Sequence, residues 1–388
     1  MKVGIVTKEW PPLIYGGAGV HVWQLSQALR QKREKVSVDV HCFGEDREGA
    51  RGYSLPAEMS GLNPALTAIE TDLLIAQNLS DVDLIHTHTW YANLAGHFGS
   101  LLHGVPHILT AHSLEPDRPW KAEQLGGGYR ISSYAEETAY HSASAIISVS
   151  EGMKRDITRA YPKIDPKKIH TIYNGVDSQR FSPTFDENLL DAKGIHGRYA
   201  IFVGRITRQK GLSHLLRAWE EVSPEYGLVI AAGSPDEPTI GNEVEALISE
   251  LQAKRSNVWW FPQMLPQREL AVLLSHADLF ICPSIYEPLG IVNLEAMACQ
   301  TAVLGSRVGG IPEVVREGIT GELVNYQGDA GSFEDSLSEG ITTLMGDPDR
   351  LAQYGEAGRR RVIESFSWDS IADATIDLYN SVLTDSQK

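Results

Sequence analysis

The sequence predicts an α/β protein built from two doubly wound parallel-sheet domains, and three observations carry that prediction. Short β-branched apolar runs alternate with segments whose apolar positions recur every three or four residues, the pattern of strand then helix. The alternation breaks at "SQRFSPTFDENLLDAKGIHGRYA", residues 178–200, which is polar and punctuated, and restarts with "YAIFVGR". A length of 388 residues also exceeds the size at which one hydrophobic core keeps growing.

In chain order, "KVGIVT", "KVSVDVHCF", "VDLIHTH", "PHILTAH", "SAIISVS" and "KIHTIYNG" read as strands of the first domain. Between them, "VHVWQLSQALRQK", "YANLAGHFGSLLHG" and "ISSYAEETAYHSA" carry helical periodicity. After the break, "YAIFVGR", "YGLVIAAG", "NVWWFP", "DLFICPS" and "TAVLGS" repeat the scheme. Strands separated by helices form a parallel sheet covered on both faces. There is no short solenoid period and no low-complexity tract.

Apolar residues make up 42% and charged residues 22%, the proportions of a soluble globular chain. The formal charge of −16 argues against nucleic acid or an anionic membrane surface as partner. Any anionic ligand must instead meet a local cluster of cations. Cys42, Cys282 and Cys299 are too few and too scattered for a disulfide framework or paired zinc motifs, and read as small buried residues. The opening "MKVGIVTKEW" has an apolar run cut short by Lys8 and Glu9, and no stretch reaches the roughly 18 apolar residues of a membrane span. A cytoplasmic location is expected.

Ligands of open α/β sheets bind outside the carboxyl ends of the strands, so function is sought in the turns after them. In "KEWPPLIYGGAGVHVW", Gly16, Gly17 and Gly19 precede a helix and would let amides approach a phosphate. A ligand-free tight turn is the plain alternative, and the spacing is not that of a dinucleotide fingerprint. "FVGRITRQKGLSHLL" places Arg205, Arg208 and Lys210 within six residues, a set that suits a diphosphate or a merely solvated loop.

"CPSIYEPLGIVNLEAMAC" carries Glu287 and Glu295 around a helix start near Gly290, where the amides of Gly290 and Ile291 become anion donors. A hydrolytic pair of carboxylates must sit about 5–10 Å apart across one bond, and these two are too differently placed. They read as hydroxyl acceptors at the two ends of a nucleotide-sugar, with Glu287 and Lys210 exposed at the crevice mouth. A dipole-stabilising glutamate and a solvent-facing one are the structural alternative.

Trp10, Trp90, Tyr91 and Trp120 fall in post-strand loops, where aromatic faces stack on sugars or simply fill the core. Arg118, Lys121 and Arg130 gather after the strand carrying His112; they suit a phosphate-bearing acceptor, or pair with Glu115, Asp117 and Glu123. Asp81 and Asp83 open a buried strand and read as structural rather than metal-binding.

Glu-x7-Glu with "PLG" and "EAMA", together with "GRITRQKG", "GGAGVHV", "TAHS", "YNGVD" and "VGGIPEVV", resembles the retaining glycosyltransferases of family 4. The resemblance spans the chain and implies the GT-B fold, two facing Rossmann-like domains with an interdomain crevice. It implies domains at 1–177, completed by a C-terminal helix at about 369–388, and at 178–368. The longer strings "KEWPPLIYGGAGVHV", "AHSLEPDRPWKAEQLGGGYRISSYAEETA" and "PSIYEPLGIVNLEAMAC" are similar to the actinobacterial-type glycogen synthases. These use ADP-glucose or a related nucleotide-glucose to make α-1,4 links, some on α-glucan and others on glucose 1-phosphate to give α-maltose 1-phosphate.

Carried over, Arg205 and Lys210 would hold the nucleotide diphosphate with Gly17, Leu289, Gly290 and Ile291, and Glu295 would bind the ribose. Glu287 would bind sugar hydroxyls at the reaction centre and His112 would position the transferred glucose. The acceptor side would carry Arg118, Lys121 and Arg130. No metal and no cofactor is implied, and a homodimer stays open. Another family 4 sugar transferase, a non-catalytic nucleotide-sugar-binding protein and a sugar-nucleotide epimerase are the rival readings.

Overall fold

Lys2–Thr7 is rich in β-branched residues and is buried from Val3 onward, as the centre of a two-sided sheet requires. The computed structural model describes residues 1–59, 61–118, 121–122 and 126–386. It divides the chain into two compact units, Met1–Gly175 with Trp368 onward, and Val176–Ser367. The two strand-rich halves read from the sequence are two parallel-sheet α/β units.

The first unit has seven parallel strands: β1 (Lys2–Thr7), β2 (Ser37–Phe43), β3 (Arg51–Tyr53), β4 (Leu84–His88), β5 (His107–Ala111), β6 (Ala145–Ser148) and β7 (Ile169–Thr171). Their order is β3-β2-β1-β4-β5-β6-β7. The chain leaves β1 toward one edge and returns to its other side with β4, in the register Val3↔Leu84 to Val6↔Thr87. The β1/β4 boundary is therefore the switch point, where adjacent post-strand loops diverge and leave a crevice. Helices α1 (Gly17–Gln31), α2 (Pro64–Gln77), α3 (Trp90–His103), α4 (Gly128–Ser142) and α5 (Glu151–Ala160) connect the strands. Caps set two of them: Asn63 Oδ1 accepts from the Ala65 amide at 3.0 Å, and Ser150 Oγ from the Met153 amide at 2.9 Å.

The second unit has β8 (Tyr199–Ile206), β9 (Gly227–Pro235), β10 (Val258–Phe261), β11 (Leu279–Cys282), β12 (Ala302–Ser306) and β13 (Gly321–Val324), all parallel in the order β10-β9-β8-β11-β12-β13. Its switch point lies between β8 and β11. Its main helices are α6 (Leu212–Ala218), α7 (Pro238–Lys254), α8 (Gln267–His276), α9 (Ile291–Ala298), α10 (Ala330–Met345) and α11 (Pro348–Ser365). Phe202, Trp219, Leu228, Ile230, Ile281, Leu304 and Phe333 form its core.

The C-terminal helix Trp368–Ser386 completes the first unit's core: Ile371, Ala372, Ile376 and Tyr379 pack with Val22, Leu25 and Leu29 of α1 and with Leu84. Lys32 Nζ reaches Asp369 and Asp373 at 2.9 and 2.8 Å. Tyr379 Oη lies 2.6 Å from His86 Nδ1. Gly175 admits the Trp368 ring, since a Cβ there would fall 2.7 Å from it.

The strands β3 and β13 escape the sequence reading, being three and four residues long with no usable period. Asp81 and Asp83 lie at the amino end of β4. Asp83 accepts the Lys2 amide at 2.7 Å and Asp81 pairs with the Lys2 ammonium, so both are structural. No helix of the described residues is long and apolar enough to cross a membrane. Tyr379→Ala, which empties a fully buried site and strands His86, should lower stability by about 3–5 kcal/mol in denaturant melts; a loss under ~1 kcal/mol would mean the helix is only loosely docked.

Candidate active site

The loop after β8 and the loop after β11 approach each other because one residue between them has no side chain. Arg208–Lys210 form a single 3-10 turn that ends on Gly211, left-handed at φ 67°. A Cβ there would lie 1.9 Å from the Pro283 carbonyl oxygen. The Ile285 amide donates to Gln209 O at 2.9 Å and ties the loops together. Lys210 Nζ thereby reaches Glu287 Oε2 at 2.6 Å, and Ser284 Oγ donates to the same oxygen at 3.1 Å.

The carboxylate is fixed from behind as well. Gly309, at φ 53°, lies so close that a Cβ would fall 1.9 Å from Glu287 O, and that oxygen accepts the Gly310 amide at 3.0 Å. The sequence reading left Glu287 and Lys210 exposed. The structure corrects this: the side chains are 8% and 18% exposed and form a largely buried ion pair. Burial works against the Lys210 charge, but the Glu287 carboxylate outweighs it and holds the ammonium's pKa above the usual lysine range.

Glu295 is the fifth residue of α9. Burial pushes its carboxyl up to about 7, with the Lys210 charge pulling the other way. Lys210 pairs with Glu287 and also acts on Glu295, where burial is the larger influence. Helix α9 starts at Gly290, φ 93°, with no side chain capping its first amides. Ile291 is its first residue, whereas the Leu289 side chain is buried, so only its backbone can meet a ligand.

Two acids missed in the sequence lie on the neighbouring strand's loop. Arg205 Nη1 pairs with Asp236 at 2.6 Å, and Arg208 Nε lies 3.5 Å from Glu237. Both acids follow β9, which is remote in sequence and adjacent to β8 in the sheet.

At the first unit's switch point, Glu9 follows β1 and folds its carboxylate under the glycine loop. Its Oε2 accepts the amides of Tyr15 and Gly16 at 2.7 and 2.9 Å, leaving Gly17 as the first residue of α1. A Cβ at Gly19 would collide with that carboxylate at 2.5 Å. Glycine is thus required here by Glu9, a reason the sequence did not disclose.

Lys8 Nζ stands 3.7 Å from the ring centroid of Tyr91 and Lys121 Nζ 5.8 Å from it, bringing the loops after β1, β4 and β5 to one aromatic ring. Arg118 Nη1 donates to Ser113 Oγ at 3.0 Å, and its Nε is buried without a partner. Lys121 is buried, 3.9 Å from the fully buried Glu115. The expected cluster is thus rearranged: Lys121 answers a buried acid, Arg130 is exposed near the start of α4, and Lys8 joins. Asp117 pairs with Arg159 at 2.7 Å. Trp10 and Trp90 are buried core residues, whereas Tyr91 stacks on Trp90 at 4.0 Å and is only partly buried. Trp120 and Glu123 lie outside the described residues.

His112 follows β5, with Nε2 3.1 Å from His88 Nδ1. Burial, reinforced by neighbouring imidazoles, drives both rings well below the usual histidine range. A neutral imidazole of this kind accepts or donates a hydrogen bond but does not titrate near pH 7.

Gly309 and Gly318 are both left-handed, at φ 53° and 72°, but nothing lies within 4 Å of a Cβ at Gly318. Gly309→Ala should therefore cost about 1–3 kcal/mol more than Gly318→Ala in denaturant melts; equal losses would show that backbone strain alone requires glycine at 309.

The profile "Glycosyltransferase Family 4" matches residues 15–180 and "Glycosyl transferases group 1" matches residues 191–361. Alpha-maltose-1-phosphate synthase of Mycolicibacterium smegmatis is 50% identical, the alignment covering 98% of this chain and all of that protein. The protein of the same name from Mycobacterium tuberculosis is 47% identical over the same shares. Among solved structures, sucrose-phosphate synthase from Thermosynechococcus elongatus superposes with a TM-score of 0.81 at 24% identity, covering 99% of each chain. The catalytic domain of Arabidopsis thaliana starch synthase IV gives 0.73 at 16% identity, again over 99% of each.

Proposed function

The chain belongs to the family 4 glycosyltransferases of GT-B fold, and from that premise we propose that it moves glucose from ADP-glucose to glucose 1-phosphate. The product would be α-maltose 1-phosphate, a building block for glycogen. Membership makes it a glycosyltransferase and removes the epimerase and non-catalytic readings. The observation that carries the acceptor is the set of cations around Tyr91. In a protein of net charge −16, Lys8 after β1 and Arg118 and Lys121 after β5 all act on Tyr91, which follows β4. A phosphorylated sugar gains from them what a neutral glucan end does not. The names of the two mycobacterial relatives support the same acceptor.

On the donor side, Lys210 would hold the diphosphate. It carries three N–H donors and gives one to Glu287, so the others are available to phosphate oxygens. Arg205, shared with Asp236, and the amides at Gly17, Leu289, Gly290 and Ile291 would add to the neutralisation of the leaving group, an electrostatic device that grows stronger as water is excluded. Glu287, held by Lys210 and Ser284, would accept sugar hydroxyls, and Glu295 would accept those of the ribose. Neutral His112 would orient the transferred glucose. In a front-face displacement the bond from C1 to the diphosphate breaks as the acceptor O4 bonds to the same face of C1. The hydroxyl proton passes to the departing diphosphate, which preserves the α configuration.

Two measurements test this. Lys8→Ala should raise KM for glucose 1-phosphate roughly tenfold or more while leaving transfer to glycogen nearly unchanged. Equal losses on both acceptors would remove Lys8 from the acceptor site, and failure of the unaltered enzyme to use glucose 1-phosphate would return α-glucan as the acceptor. Lys121 is less suited to this test, because its removal strands buried Glu115.

The second concerns pH. Ionised Glu295 accepts ribose hydroxyls better than its protonated form, and its carboxyl lies at about 7. KM for ADP-glucose should therefore rise as pH falls from 8 to 6. Glu295→Gln should show a raised but pH-independent KM; an unchanged pH profile in that variant would assign the titration to another group.

A further inference from the structure

The first unit holds a cluster of which the proposed chemistry uses only one member, His112. His21 on α1, His88 at the end of β4 and His112 after β5 each offer a ring nitrogen, and the three lie within 4.8 Å of one another. Their ring centroids are 4.8, 5.4 and 5.5 Å apart. Both nitrogens of His21 and Nε2 of His88 are buried without a hydrogen-bond partner. Unpaired buried nitrogens are unfavourable, and three imidazoles gathered this closely are an uncommon way to fill a core.

We propose that His21, His88 and His112 form a binding site for a borderline divalent cation, Zn2+ being the best match, and that its occupancy blocks sugar transfer. Three imidazoles and no carboxylate select Zn2+, Cu2+ or Ni2+ over Mg2+ or Ca2+. Zinc bound at 2.0–2.1 Å in tetrahedral geometry places its ligand nitrogens roughly 3.4 Å apart. The observed spread, up to 4.8 Å, is wider than that, so binding would draw the rings together. Three protein ligands leave a fourth position open to water or to a sugar hydroxyl. Burial keeps all three rings neutral near pH 7, with His21 lowered to about 4, so binding requires no net deprotonation. Asn174 lies beside His21 with its side-chain oxygen buried and unpartnered, placed to take the ring's other N–H and fix the tautomer.

Cation binding rests on this geometry alone. The blockade rests on the proposed placement of the transferred glucose at His112, since a ligated imidazole can no longer orient a sugar.

Full-length protein stripped with chelator should bind one Zn2+ per chain by calorimetry, and Co2+ in its place should show the intense visible absorption of a low-coordinate site. X-ray absorption at the zinc edge should count three imidazoles in the unaltered protein, a result that does not depend on any variant folding. His21→Asn should weaken binding by at least the roughly 10–100-fold that loss of even an outer-shell partner causes, and should remove inhibition by Zn2+. His196→Asn, at an exposed histidine beside Asp191, should change neither. Fewer than three imidazoles in the spectrum, or unchanged affinity in folded His21→Asn, would overturn the site. Stoichiometric binding with undiminished turnover would overturn the blockade and, with it, the placement of the sugar at His112.

Discussion

The ion pair between Lys210 and Glu287 is the constraint around which the second unit's loops are organised. Two charges removed from water are weak evidence for stability, because the desolvation of each offsets much of their attraction. Here the surroundings are built to keep the pair in place all the same. Gly211 brings the loop of Lys210 against Pro283, Gly309 brings another turn against the Glu287 carbonyl, and Ser284 supplies the carboxylate with a second donor. Such over-determination suits a group that must present fixed charge to a ligand rather than hold the fold together. The switch point explains why these residues meet: β8 and β11 are neighbours whose connections leave in opposite directions, so the loops above them are free of covering helices.

The same topological device appears in both units with different chemistry. In the second unit it assembles formal charges, Lys210 with Glu287 and Arg205 with Asp236. In the first it assembles neutral imidazoles and a tyrosine ring flanked by ammonium groups. Positive charge is therefore gathered at these points against a background of −16, which favours small anions there and disfavours extended polyanions. That distribution matches the proposed pairing of a nucleotide diphosphate with a phosphosugar.

Much of this was legible in the sequence, because buried parallel strands write long apolar runs and post-strand loops carry the glycines and charges. Short strands were not: β3 and β13 take their existence from sheet pairing, which no local period records. The order of strands was equally hidden. Asp236 and Glu237 drew no notice in the sequence, because only the pairing of β9 with β8 brings them to the arginines, and Lys8 looked like the end of an apolar run until Tyr91 came to lie beside it. Burial of Glu287 was missed because a charged residue before a helix reads as solvated, and only the glycine at 309, twenty-two residues on, reveals the close packing. Trp10 and Trp90 were ambiguous in principle, since a sugar face and a protein core ask for the same apolar ring. Gly16, Gly17 and Gly19 were read as making room for phosphate, whereas Glu9 occupies part of that space.

Calorimetric titration of ADP into the unaltered protein, Lys210→Met and Glu287→Gln tests the central assignment most directly, because it separates the two halves of the ion pair without requiring turnover. If Lys210 holds the diphosphate and Glu287 the sugar, ADP affinity should fall at least about tenfold in Lys210→Met and stay within a few-fold of normal in Glu287→Gln, while the latter fails to transfer glucose. Equal loss of ADP affinity in both folded variants would contradict that division of roles and leave the pair as a structural clasp.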